Sequence, residues 1–270
     1  MSKRPLDRRW LYLSLFFAVL IPLLRPIGLP IKVGAWTKTV YDFMDKIGPN
    51  DRVFFASDYG PGTAAENKPI GDAVAQHLMR KRAKIITITF TPEGTMYSRA
   101  IVDACVAAGY AYGTDVVDLG YLPGGEVGLA AIFSNVKKAV PKDARGTATD
   151  TIPLLKGVET IKDFKAIFQV ATGVPGPQEY VRQNGAYQVP LTFGMSMNMM
   201  TMATAYVQAK QAVGIVPGLQ GAAEYESLTG KFGFATIAMD SQSLAYVVYI
   251  AAMVMGNVYY FLDKRRGRSG

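Results

Sequence analysis

Uninterrupted apolar runs stand near both ends of the chain, and between them short β-branched stretches alternate with longer segments of helical period. Residues 10–24 (WLYLSLFFAVLIPLL) are fifteen positions without a charge, preceded by Lys3, Arg4, Arg8 and Arg9. No Ala-x-Ala cleavage site follows, and apolar character continues to Val33, so the segment predicts an uncleaved anchor over 10–33. The uncharged helix covers only roughly 23 Å of a hydrocarbon core near ~30 Å. Arg25 must therefore snorkel to the far headgroups or pair with a carboxylate of another helix.

At the other end, residues 241–262 (SQSLAYVVYIAAMVMGNVYYFL) are 22 uncharged positions, enough to span, with Asp240 before them as a candidate N-cap. Asp263, Lys264, Arg265, Arg266, Gly267 and Arg268 follow at once. Both basic clusters flank the apolar helices on their outer sides, and the positive-inside tendency places both termini in the cytoplasm. The expected organisation is a cytoplasmic N-terminus (1–9), a transmembrane anchor (10–33), an extracytoplasmic domain (34–239), a transmembrane helix (241–262) and a cytoplasmic tail (263–270).

Within the domain, strands are expected at 52–57, 84–90, 114–119, 166–171, 189–193 and 213–216, and helices at 36–47, 71–82, 96–108, 127–140, 177–184, 196–212 and 219–228. This alternation predicts an α/β fold: a doubly wound, mostly parallel sheet of five or six strands in a flavodoxin/Rossmann-like three-layer sandwich, flanked by N- and C-terminal transmembrane helices. The layout resembles flavodoxin-like and periplasmic-binding-protein-like sheets in architecture alone, and architecture does not give function.

Five loops after expected strands combine Pro with Gly: 58–63 (DYGPGT), 91–95 (TPEGT), 120–126 (GYLPGGE), 172–177 (TGVPGP) and Pro217-Gly218. In a parallel sheet all five share the carboxyl edge, where helix N-termini converge and open α/β sheets bind ligands. The candidate ligand-binding residues are Asp58, Gly60, Gly62, Glu93, Gly94, Gly124, Gly125, Glu126, Gly173 and Gly176. Pro and Gly also end strands and start helices with no ligand involved.

Half the 270 residues are apolar and 19% are charged, and the mean hydropathy is +0.14, which excludes a disordered or collagen-like chain. A single Cys (Cys105) and a single His (His77) exclude an internal disulfide, a CxxC redox site and the usual His/Cys zinc sites. Cys105 reads as a buried small apolar residue and His77 as a surface or half-buried helical one. There is no Walker A sequence, no GxSxG elbow, and the glycines of 120–128 do not match GxGxxG, so no metal is expected and the cofactor is unknown. Asp58, Glu93 and Glu126, each following a strand, remain the candidate catalytic groups for acid/base chemistry or a hard cation.

The formal charge is +8. Four basic residues before the first apolar run and four after the second, less Asp7 and Asp263, account for +6 of it, so the domain is nearly neutral and nucleic acid is not an expected partner. A charge-free stretch, 183–209, carries Met195, Met197, Met199, Met200 and Met202 and is expected to form a strand and a Met-rich helix buried in the core or against a partner. Ala252 and Gly256 form a small-xxx-small pair beside Asn257. With Arg25 they point to helix association, in a homo-oligomer or with other membrane subunits, within the lipid bilayer. The expected function is a scaffold or ligand-recognition subunit of an oligomeric membrane complex. The alternative is a membrane-tethered hydrolase or transferase using the carboxylates of the strand edge.

Overall fold

The structure is a computed structural model and describes residues 8–266. Lys3, Arg4 and the end of the tail from Gly267, assigned above to the cytoplasm, lie outside the described residues. The chain divides into two compact units: Ile31–Lys231, and the two end segments up to Pro30 and from Phe232.

In the first unit, β1 (Arg52–Asp58), β2 (Lys84–Thr89), β3 (Val116–Tyr121), β4 (Ala166–Ala171), β5 (Leu191–Met195) and β6 (Gly214–Pro217) form one sheet. Its order is β3-β2-β1-β4-β5-β6 and every neighbouring pair is parallel. The strands are continuous apolar runs because helices cover both faces and leave neither to water. From β1 the chain steps outward through α3 (Ala64–Arg80) to β2 and through α4 (Thr95–Ala107) to β3. It then returns through α5 (Glu126–Ser134) and α6 (Val136–Ala139) to β4, and continues outward the other way through α7 (Pro177–Asn184) and α8 (Met200–Gln208). Before β1 lies α2 (Ala35–Met44), and α9 (Gly218–Thr229) follows β6. One core joins Phe54, Ile86, Val117, Phe133, Ile167 and Tyr180.

Several local departures from the sequence expectation have identifiable causes. The helix expected from 71 begins at Ala64 and carries Pro69 inside it, because burial of Ile70, Ala73, Val74 and Leu78 outweighs the one hydrogen bond that proline removes. The helix expected over 127–140 breaks at Asn135, whose extended backbone and side-chain oxygen cap the Lys138 N–H and restart the chain as α6. The fifth strand starts at Leu191 rather than 189, since the Val189 N–H is taken by the Asn184 side chain. His77 is buried, at 2% exposure, not superficial. Its ring stacks on Tyr41, meets the Tyr225 hydroxyl at 2.8 Å and Asp45 at 3.2 Å, and its burial lowers its pKa. Cys105 is buried as expected. In the Met-rich stretch Met195 is buried, whereas Met197 and Met202 are exposed.

The second unit pairs α1 (Arg8–Leu24) with α10 (Phe234–Arg266). One helix, Phe234–Leu262, is long and apolar enough to cross a membrane by length and composition; Arg9–Leu24 is a shorter apolar helix. Asp240 is not an N-cap, because α10 starts at Phe234. Its carboxylate instead accepts the backbone N–H groups of Ile27, Gly28 and Leu29 at 2.9, 2.7 and 3.0 Å. Three adjacent donors turned toward one anion form a nest, which ties the turn after α1 to α10. Ser241 adds a hydrogen bond to the Val19 carbonyl at 3.2 Å.

Replacing Asp240 by Ala leaves three partly buried donors without their acceptor, at a cost of about 2 kcal/mol. Hydrogen exchange of the Ile27, Gly28 and Leu29 amides in the detergent-solubilised full chain is expected to accelerate by roughly 30-fold.

Candidate functional site

Because the connections from β1 and β4 run to opposite sides of the sheet, the order reverses between these two adjacent strands, and a crevice is expected outside their carboxyl ends. The side chains that meet there come from β1, β4, α3, α7 and the end of β5. Asp58, last in β1, is 1% exposed. One of its oxygens accepts the Phe90 N–H at 2.8 Å and the Thr89 hydroxyl at 3.4 Å, and the other accepts the Gln169 amide and the Tyr180 hydroxyl, each at 3.0 Å. Burial raises its pKa to about 6 against the pull of these four donors, the Phe90 N–H foremost.

Gln169 gives both amide hydrogens away, to Asp58 and to the Pro175 carbonyl at 2.9 Å. Its amide oxygen has no partner, the one buried side-chain polar atom so placed among the described residues. Such an orphan costs about 1–3 kcal/mol unless a bound donor satisfies it. On the α3 side of the same edge, the Thr63 and Thr172 hydroxyls join across the two loops at 2.7 Å, and the Asn67 amide donates to them at 3.2 and 3.3 Å. Ser196 reaches the Asn67 oxygen at 3.4 Å.

The glycines named from sequence all lie in the loops of this edge, with different surroundings. A Cβ on Gly94 would collide with Thr89 and the Ser57 carbonyl, so Gly94 is needed for close packing. Gly62 and Gly173 face open space, with nothing within 4 Å of an added Cβ. Gly60 lies against Glu93, while the Gly176 N–H bonds Glu179. Gly124 and Gly125 lead into α5 with positive φ angles of 103° and 54°.

The three candidate catalytic carboxylates have separate environments. Asp58 is buried and fully engaged, and Glu93 is exposed. Glu126 forms a two-pronged ion pair with Arg182, at 2.6 and 2.5 Å, and accepts from Gln183. None of the hydrogen bonds described joins one of the three to another, and no group of three metal-ligating side chains occurs among the described residues. In the helical pair, Arg25 is exposed, Gly256 faces open space and the Asn257 amide donates to Met253 of its own helix; Ala252 is half-buried. Gln169, Thr63, Asn67, Thr172 and Ser196 were not singled out in the sequence. Gln169 carried one signal, as the polar residue within the apolar strand AIFQVA.

Asp58 titrates near 3.8 when unfolded and about 6 when folded, so between these values the unfolded chain has released a proton that the folded chain retains. Stability is therefore expected to fall as pH rises from about 4 to about 6, by roughly 3 kcal/mol from this group. Denaturant midpoints across that range measure the slope, and Asp58→Asn is expected to flatten it. Comparison with known proteins finds no match: no family model fits the chain, and no curated protein and no solved structure is similar to it.

Proposed function

We propose that this chain is a membrane-anchored subunit whose α/β domain recognises a small polar ligand at the carboxyl edge of its sheet, between the loops after β1 and β4. The observation that carries ligand recognition is the orphaned Gln169 oxygen, on the strand next to the position where the order reverses. A donor group of a ligand held in that crevice would satisfy the oxygen, and the space around Gly62 and Gly173 leaves room for its approach. Anchoring rests on the apolar helix Phe234–Leu262, whose side chains from Tyr246 to Leu262 are largely exposed to whatever surrounds them.

In this proposal α1 is the second, shorter span, both termini are cytoplasmic and the domain is extracytoplasmic, in keeping with the basic residues outside each helix. The Ala252/Gly256 pair allows close approach of another helix, and Arg25, without an ion-pair partner among the described residues, sits where an acidic partner or the headgroups would meet it. Assembly with further copies or other membrane subunits follows from these two features. The hydrolase alternative has less support, since Asp58 is saturated by four donors and Glu126 is paired with Arg182.

Native mass spectrometry of the full chain, purified in mild detergent, tests the recognition claim. The expected result is a small molecule retained by the folded protein, released on denaturation, and reduced at least tenfold by Gly173→Leu, which puts a bulky side chain into the open space beside the loop after β4. Retention unaffected by Gly173→Leu, or no retained molecule at all, overturns it. Release of the chain from membranes by alkaline carbonate overturns the anchoring.

A further inference from the structure

At the outer edge of the sheet, β3, α4 and the turn over 141–148 enclose a cavity of about 200 Å³, next to a wider cleft of about 530 Å³. The cleft falls in the range typical of small-ligand sites, about 300–1,000 Å³. Arg99, Asp103, Asp118 and Arg145 line the smaller cavity. Arg99 and Asp103 stand four residues apart on α4, a spacing that favours an ion pair on a helix, yet they form none. Among the described residues neither Arg99 nor Arg145 forms an ion pair within 4 Å, although the Arg99 charge acts on Asp118.

The surrounding groups are held in place. Asp143 accepts the Arg145 and Thr147 N–H groups and the Tyr112 hydroxyl, which shapes the turn. The Arg145 guanidinium lies over the Tyr112 ring, 3.5 Å from its centroid. Asp118 is 7% exposed, and one of its oxygens accepts the Gly120 N–H at 2.9 Å and the Thr87 hydroxyl at 3.1 Å. Its other oxygen has no partner among the described residues and belongs to a side chain that lines both cavities. The open Asp118 oxygen still meets solvent, and Arg99, Asp103 and Arg145 are exposed, so two guanidinium groups and two carboxylates line one cavity within reach of a bound molecule.

We propose that this cavity binds a small zwitterion of the amino-acid type: its carboxylate between Arg99 and Arg145, its ammonium group on Asp118 and Asp103, and its side chain along Met96 and Tyr121 in the wider cleft. A simple anion would be repelled by two carboxylates and a simple cation by two guanidinium groups, whereas a molecule carrying both charges meets a partner for each. Arginine suits the first task because its planar fork matches a carboxylate. The site lies two strands from the β1/β4 crevice and does not depend on recognition there.

Calorimetric titration of the full chain in detergent with glycine, leucine and phenylalanine, each at millimolar concentration, tests it. At least one of the three is expected to bind. For leucine, the two analogues that keep its skeleton but lack one charge, 4-methylpentanoate and 3-methylbutylamine, are expected to bind at least tenfold more weakly. Arg99→Gln, at an exposed position, and Asp118→Asn, which keeps an oxygen for the Gly120 N–H, are each expected to weaken binding of the zwitterion at least tenfold while the protein still unfolds cooperatively. The proposal is overturned if none of the three amino acids binds, if a singly charged analogue binds as tightly as leucine, or if Arg99→Gln binds like the unaltered protein.

Discussion

The Asp58 carboxylate holds the two halves of the sheet together where their order reverses. It takes hydrogen bonds from Phe90 and Thr89 on the β2 side and from Gln169 on the β4 side, and Tyr180 of α7 closes the cluster. A parallel sheet has no hairpins to pin its strand ends, so a charge buried at this point substitutes side-chain hydrogen bonds for missing turns. The cost is the removal of the carboxylate from water, which four donors offset only in part, and the raised proton affinity records the remainder.

The same cluster explains why the crevice is polar although the sheet beneath it is not. Each of its members is the last or a late residue of a strand or the first turn of a helix, where backbone groups lack ladder partners. At the same edge Thr63, Asn67, Thr172 and Ser196 bond to one another through hydroxyl and amide groups. Gln169 is the place where the accounting does not close, and an atom left over at a switch of strand order is a more specific pointer to a ligand than any glycine in the loops.

Electrostatics separates the two units in another way. The excess of basic over acidic residues lies mostly at the ends of the chain and leaves the sheet domain nearly neutral, so charge inside the domain works locally, in pairs such as Arg182 with Glu126 and in the set around Asp118. In the helical unit one carboxylate, Asp240, does its work on backbone rather than on a cation, gathering three consecutive N–H groups. The Asp240 contacts satisfy backbone groups that are partly buried, whereas the Arg182–Glu126 pair lies at the surface.

Periodicity and composition determined the α/β class, the parallel direction of the sheet, the six strand positions to within a few residues and the common edge of the Pro-Gly loops, because these depend on local alternation and on the chemistry of strand ends. Pro69 inside α3 and the buried His77 were not legible, since each depends on what packs against it, whereas the break at Asn135 rests on a local cap that the helical period of 127–140 masked. Strand order, the union of Asp58 with Gln169 and Tyr180, the separation of Glu93 and Glu126 from Asp58, and the grasp of Asp240 on residues 27–29 were decided only by tertiary structure. These contacts join residues that lie from about thirty to more than two hundred positions apart in the chain, and no local pattern of hydrophobic and polar positions encodes which distant partner a polar side chain will meet.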